Sequence, residues 1–210
     1  MKKILTLLFL HFSFFVFAQD SFGVKGGLNV SNVASRKKSE NFYKYDPDTD
    51  NDIGFHIGVY AKIKLMNKVS FVPELQYTRR GFSIKYYPMS NEKTYLRYRY
   101  LELPLLVSYA PLKWLAVDVG PSVAYMIAAS SKTGTNKINT YESYDEHRID
   151  FGLNGGARFH VTEKISVIGR YYFGLSVLSE VTVRDTSNIT ELLATVHNRS
   201  AQFGVSYHLN

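Results

Sequence analysis

Residues 99–120 read RYLELPLLVSYAPLKWLAVDVG, an apolar run that neither a helix nor a soluble core strand accommodates. Pro104 and Pro111 would break a helix, and Glu102 and Asp118 sit among aliphatic neighbours. The stretch becomes coherent with a period of two, the spacing of side chains on one face of a strand. Leu101, Leu103, Leu105, Val107 and Tyr109 then share one face, and Tyr100, Glu102, Pro104 and Ser108 the other. After a turn expected at Ala110-Pro111-Leu112, Leu115, Val117, Val119, Pro121, Val123 and Tyr125 oppose Ala116, Asp118, Gly120, Ser122 and Ala124.

The same rule governs the chain from Ser21 onward. FGVKGGLNVS sets Phe22, Val24, Leu28 and Val30 against Gly23, Lys25, Gly27 and Asn29. IGFHIGVYAKIKL, VSFVPELQYTRR, RIDFGLNGGARFHV, ISVIGRYYFGLSV and the closing AQFGVSYHL alternate likewise. Such alternation with turn residues between the runs predicts about eight antiparallel strands. The connections alternate too. Short turns are expected near Met66-Asn67-Lys68, Ala110-Pro111-Leu112 and Thr162-Glu163-Lys164. Long polar loops are expected at Asn32–Asn51, Tyr87–Thr94, Ser131–His147 and Thr182–Asn198. Short turns at one end and long loops at the other is the pattern of outer-membrane barrels.

The first 18 residues read differently. Lys2 and Lys3 precede ILTLLFLHFSFFVFA, which ends on small residues at Val16 and Ala18. A basic start, an apolar stretch shorter than the ~20 residues of a membrane helix and a small-x-small end predict a secretory signal peptide over 1–18. The barrel domain is then expected over 19–210. Removing Lys2 and Lys3 leaves 23 basic against 18 acidic residues, so the formal charge falls from +7 to +5. No basic helix or aromatic-plus-basic motif points to nucleic acid, and a basic surface among anionic headgroups suits an exported chain better. The absence of cysteine excludes disulfides and thiolate metal sites.

Polarity decides which face meets lipid. The apolar face is aliphatic and aromatic on every strand, while the other is rich in glycine and serine and thinly charged. An eight-stranded barrel is just wide enough for side chains to fill, and a closed barrel satisfies every backbone group in hydrocarbon. The expected fold is therefore all-β, an eight-stranded antiparallel up-and-down transmembrane barrel. Its lumen is expected to hold Lys25, His56, Glu74, Arg80, Glu102, Asp118, Asp150, Arg158 and Arg170. Buried charges require partners, so ion pairs should bridge the strands, with Arg80 a more direct partner for Glu102 than Arg158 or Arg170. Pro104 and Pro121 lack an N–H and are expected at bulges or rims. Tyr109, Trp114 and Tyr207 near the turns, with Tyr77 and Tyr125 near the loops, suit interfacial girdles.

These residues resemble the PorT-like family, outer-membrane β-barrel proteins of Bacteroidota. The likeness runs from Phe22 to Leu209 and rests on GVKGGLNVSN, GFHIGVYAKIKL, FVPELQYTRRGF, YLELPLLVSY and VDVGPSVAYMI, then on DFGLNGGARF and QFGVSYHL. It implies an outer-membrane location, and one branch of the family is implicated in protein secretion across that membrane.

Other sites are weaker. YDPDTDND spaces Asp46, Asp48, Asp50 and Asp52 by two, as in a calcium loop, but Asn51 and Ile57 stand where the loop needs Gly and Glu; a solvated acidic loop is expected. His56, His147, His160, His197 and His208 show no metal spacing. His147 beside Asp145 and Glu146, or His197 with Asp185, lacks a nucleophile motif. The reading is a non-enzymatic barrel with a mostly plugged lumen and no cofactor. It would act as a structural, binding or secretion-associated protein through its long loops. Its expected partners are outer-membrane lipid and other envelope or secretion-system proteins, with no nucleic acid. A narrow porin and a soluble secreted lipid-binding barrel are the alternatives.

The alternation of turns and loops fixes a topology, with the three short turns in the periplasm. A protease added to intact cells should cut between Arg36 and Lys44 or near Lys132, and spare Lys68 and Lys164. Whole-cell cleavage at Lys68 or Lys164, mapped by mass spectrometry, would invert that orientation.

Overall fold

The computed structural model describes residues 21–37, 48–85, 92–142, 148–184 and 190–209. The signal-peptide segment, Asp46, Asp145, Glu146, His147 and Asp185 lie outside the described residues. Among the described residues ten strands follow in chain order: β1 (Ser21–Lys37), β2 (Asp48–Met66), β3 (Val69–Lys85), β4 (Thr94–Leu112), β5 (Leu115–Thr133), β6 (Asn136–Asn139), β7 (Ile149–His160), β8 (Ile165–Gly174), β9 (Ser179–Arg184) and β10 (Thr190–His208). Among the described residues no helix is long and apolar enough to cross a membrane.

The wall runs β1-β2-β3-β4-β5-β7-β8-β10, every neighbour antiparallel, and β10 returns to β1 to close an eight-stranded barrel. The closing ladder extends from Gly23 opposite His208 to Lys37 opposite Ala194. Closure leaves no wall edge inside the apolar band, so each backbone N–H and C=O there has a neighbour to bond. β6 and β9 stand outside this ring. β5 pairs with β7 over Leu115–Tyr125 and with β6 over Ser130–Thr133. β10 pairs with β8 over Arg199–Tyr207 and with β9 over Thr190–Val196.

Strand length explains the two extra strands. β4 and β5 hold 19 residues each, about 60 Å of strand, whereas a tilted strand crosses a bilayer in ~9–11 residues. β7 and β8, with 12 and 10 residues, do little more than cross it. Three of the four segments expected as long loops are partly strand, at 32–37 and 48–51, at 131–133 and 136–139, and at 182–184 and 190–198, whereas in 87–94 the described strand begins only at Thr94. β1 runs on to Lys37 and β2 begins at Asp48; β3 runs to Lys85; β5, β6, β9 and β10 continue as hairpins above the barrel. Beyond the bilayer the outward face no longer needs apolar residues, so alternation fades although the backbone ladder continues.

The side-chain faces follow parity. Val24, Leu28, Ile57, Leu103, Val107, Val119, Phe151, Val167 and Phe203 point outward and are exposed. Tyr109, Trp114 and Tyr207 are exposed at the short-turn end, where Trp114 stacks on Phe159 with centroids 6.2 Å apart. At the other end Ile57, Tyr77, Leu101, Tyr125 and Ile149 form one outward row across five strands, with Phe55 5.6 Å from Tyr77 between ring centroids.

Two local expectations need correction. The second turn is Lys113–Trp114, and Pro111 lies within β4. A register irregularity between Tyr109 and Leu112 accommodates it. Pro104 and Pro121 sit at neither rim nor bulge. Pro104 remains opposite Ser122 and Pro121 opposite Leu153, with register shifts in these ladders only at Arg99/Tyr100 and Tyr109/Leu112. Instead the β4–β5 ladder skips the pairs between Pro104 and Val107, and the β3–β4 ladder skips those between Pro73 and Gln76. A proline removes one donor and keeps its carbonyl, so the strand lapses locally and keeps its register.

At the closing seam Gly27 lies opposite Gly204. A Cβ on Gly27 would fall 2.1 Å from the Phe203 carbonyl oxygen and 2.4 Å from Gly204 Cα, both backbone atoms that cannot yield. Gly27→Val should therefore abolish the compact, heat-modifiable band on a gel. Gly155→Ala, whose Cβ meets nothing within 4 Å, should leave it intact. On the lipid face, where Val119 is 58% exposed, Val119→Arg should cost about 2–4 kcal/mol if the site lies near the bilayer midplane. The measurement is denaturant unfolding in lipid, with Val119→Leu as the neutral control.

Candidate functional site

The inward face gathers the side chains that physical chemistry least favours burying. Lys25, His56, Glu74, Arg80, Glu102, Asp118, Asp150, Arg158 and Arg170 are all buried within the barrel, none more than 4% exposed. Each stands at an inward parity position, in step with the outward residues on either side of it. Leaving His56 aside, four carboxylates face four cations, so the formal charges cancel.

The first of two networks centres on Glu74 of β3. Lys25 of β1 pairs with its Oε2. Arg170 of β8 grips both oxygens, Nη1 to Oε2 at 2.7 Å and Nη2 to Oε1 at 3.0 Å. β3 and β8 are four places apart around the ring, so this bidentate pair crosses the lumen. Arg170 also lies 3.6 Å from Asp118 of β5, which accepts from Arg158 Nη2 at 2.7 Å. A bidentate Arg–carboxylate pair is both strong and geometrically specific. Here it ties opposite walls together.

The second network centres on Glu102 of β4. Arg80 of β3 pairs with its Oε2. Gln76 Nε2 donates to the same oxygen at 2.9 Å, while Ser122 Oγ and Asn154 Nδ2 donate to Oε1 at 2.7 and 3.3 Å. Arg80 Nη1 stands 3.6 Å from Asp150, which accepts from Asn198 Nδ2 at 2.8 Å. The Arg80 guanidinium lies over the Tyr172 ring, 3.6 Å from its centroid, an arrangement that favours a desolvated cation. Lys25, Arg158 and Arg170 do not bond Glu102; they serve Glu74 and Asp118.

Apolar side chains lie at both ends of these networks. Tyr60, Val72 and Leu106 cluster toward the short turns, where the Tyr60 hydroxyl meets His208 Nδ1 at 2.7 Å. Phe82, Ile84, Tyr98, Tyr100, Ala124, Met126, Ala129 and Leu178 cluster toward the long extensions. His56 Nδ1 lies 2.7 Å from Asn29 Oδ1, and Asn29 Nδ2 in turn donates to Thr78 and to two backbone carbonyls.

Several participants were not singled out from the sequence. Gln76, Ser122, Asn154 and Asn198 complete the hydrogen bonding of the carboxylates, and Tyr172 covers Arg80. Parity alone places them inward; their partners depend on contacts across the lumen. Of the weaker candidates, Asp50 bonds Lys93 at 2.6 Å and Asp52 bonds Arg97 at 2.9 Å, so these two carboxylates serve separate cations. His197 lies 2.9 Å from the Ser176 carbonyl oxygen and 3.2 Å from the Thr195 hydroxyl. Among the described residues no group of three His, Asp or Glu side chains could hold a metal.

Comparison with known proteins agrees with this architecture. No curated protein matches the sequence. Among solved structures, the outer membrane protein OprG of Pseudomonas aeruginosa is similar, with a TM-score of 0.50 at 11% identity over 91% of this chain and 97% of that one. Neisserial surface protein A gives 0.49 at 15% identity over 89% and 96%. The attachment invasion locus protein Ail of Yersinia pestis gives 0.48 at 13% identity over 91% and 99%. At such identities the likeness is one of fold. The model of the outer membrane protein beta-barrel domain family matches residues 17–180, and to that family this chain belongs.

Proposed function

We propose that this protein is a closed-lumen barrel of the outer membrane, and that it works as a binding or assembly protein through the strand extensions above the bilayer. The observation that carries this reading is the filled interior. Arg80, Glu102, Gln76, Gln202, Tyr172, Tyr100, Leu106, Val72 and Met126 are each less than 2% exposed. A conducting pore needs a continuous wet path, and paired charges that span the lumen between two apolar clusters oppose one. The outward face, apolar across every wall strand, suits lipid and argues against a soluble lipid-binding barrel.

In this reading residues 1–18 direct export and are removed, and no reacting group or cofactor is required. The partners are lipid around the wall and other envelope proteins at the extensions. The PorT-like motifs make that branch the finer placement within the family, and a part in protein secretion is the role it would imply.

Two measurements test the closed lumen. Purified protein in planar bilayers should give no unitary current; stable conductance steps would put the narrow-pore alternative in its place. Glu102→Ala takes from Arg80 its directly bonded carboxylate and leaves only Asp150 at 3.6 Å, and breaking a buried pair costs about 3–5 kcal/mol. Thermal unfolding in detergent, followed by heat-modifiability, should register that loss, whereas membrane fractionation should stay unchanged. Replacing Arg80 with Met in the same chain should recover part of the stability, as coupled neighbours do. A Glu102→Ala protein that melts with the wild type would mean a solvated carboxylate and a wet lumen.

A further inference from the structure

On β3 and β4 the outward surface changes character just above Tyr77 and Leu101, while on β5 Ile127 carries the apolar face one step beyond Tyr125. The next outward pair on β3 and β4 is Arg79 opposite Arg99. Above it stands Arg97, opposite Gly81 and Ser130. Above that stands Lys132, with Tyr95 on one side and Lys137 on the other. Five cations thus climb one face of the wall in three successive rows.

Like charges directly opposite each other destabilise a ladder, so this arrangement calls for anions. The protein itself supplies one. Asp52 accepts from Arg97 Nε at 2.9 Å and Nη2 at 3.3 Å and lies 3.6 Å from Arg79. Arg79 also donates to the Ile53 carbonyl at 3.0 Å. The side chains of Arg99, Lys132 and Lys137 are left with no hydrogen bond or ion pair to any described residue. Arg99 and Lys132 are exposed. Arg97, Lys132 and Tyr95, together with Lys93 and Glu92, line a cavity of about 490 Å³ on this face.

Height selects the anion. Two residues of a strand tilted ~40° rise about 5 Å along the bilayer normal. Measured along their own strands, Arg79 and Arg99 therefore sit ~5 Å above Tyr77 and Leu101, Arg97 sits ~10 Å above Leu101, and Lys132 sits ~10 Å above the Ile127–Ala128 step of β5. Headgroups occupy only ~5–7 Å on each side of the hydrocarbon. The lowest row matches the depth of a lipid phosphate, and the upper two rise beyond what a small phospholipid headgroup reaches. A tall, sugar-built headgroup fits all three, with an aromatic face at Tyr95 among the cations. We propose that this basic ladder is a binding site for a phosphorylated glycolipid of the outer leaflet, its phosphate on Arg99 and Arg79 and its sugars against Tyr95 and Lys132. This site stands on the outer wall and is independent of whether the lumen is closed.

The test is native mass spectrometry of the folded barrel released from neutral detergent. The probes are bisphosphorylated lipid A, the same glycolipid stripped of phosphate, and inorganic phosphate. The wild type should retain the phosphorylated glycolipid and neither of the others. The double variant Arg99→Gln/Lys132→Gln should lose about tenfold in retention, as expected when charge-assisted contacts worth about 1.4 kcal/mol are removed. Lys68→Gln/Lys164→Gln, at the opposite end, should lose none, and heat-modifiability shows that both variants are folded. Equal retention of the dephosphorylated lipid, full retention by the first variant, or equal loss in the second would each overturn the proposal. So would displacement by inorganic phosphate at the lipid's own concentration, which would make this a site for soluble anions.

Discussion

Every other feature of this molecule depends on the ladder between β1 and β10. A strand edge inside hydrocarbon would leave a row of N–H and C=O groups without partners, each costing several kcal/mol. Fifteen residue pairs, from Gly23 opposite His208 to Lys37 opposite Ala194, remove that edge. The seam tolerates little at its inward positions, because Gly27 and Gly204 meet backbone to backbone. Once the ring is closed, parity becomes a physical sorting. Odd and even positions can no longer exchange faces without a register shift around the whole circumference.

Closure also creates the interior that its charges need. Arg170 and Glu74 lie 96 residues apart in sequence and on opposite walls, yet they form two hydrogen bonds of 2.7 and 3.0 Å. Neither could be buried alone. In an open sheet their faces would look into hydrocarbon or water rather than at each other. The lumenal ion pairs are thus a consequence of the ring, and they brace it in return. Glu74, held by Lys25 and Arg170, links β1, β3 and β8. Glu102, through Arg80, Ser122 and Asn154, links β3, β4, β5 and β7. Buried ion pairs contribute little net stability, but a one-residue register slip of any strand that carries them would turn its charged side chains outward and strand their partners. They penalise the wrong barrel more than they stabilise the right one.

This logic explains what the sequence reveals and what it hides. Which residues face lipid and which face the lumen is legible, because hydrocarbon on one side and a narrow interior on the other impose alternation on every spanning strand. Glu102 among leucines is a stronger signal than any leucine run. The pairing of Arg80 with Glu102 is nearly legible, because they lie on adjacent strands. The diametric contacts are not: Arg170 with Glu74, or Asn198 with Tyr100 at 3.1 Å, depend on where the ring brings distant positions together. The upper ends of β1, β2, β5 and β10 read as loops because strict alternation lapses there, as where the neighbours Thr195 and Val196 are both buried. The prolines mislead for a related reason. Lost donors at Pro73, Pro104 and Pro121 interrupt neighbouring stretches of ladder without shifting register, and the intact pairs on either side hold the strands in place.

The extensions place the working surface where the sequence pattern is weakest. β7 and β8 stop near the end of the apolar band, while β4 and β5 continue with β6 as a raised wall. A strand freed from hydrocarbon no longer needs outward aliphatics, and this wall replaces Leu101 and Tyr125 with Arg99, Arg97 and Lys132. Inside the barrel a cation must find its carboxylate within the chain, and Arg80, Arg158 and Arg170 do. Outside and above the bilayer that demand lapses, so an arginine such as Arg99 can remain unpartnered among the described residues at little energetic cost. The same residue type is therefore structural below the headgroups and available above them. That difference in solvent, more than any motif, separates the residues that hold this barrel together from those free to bind something else.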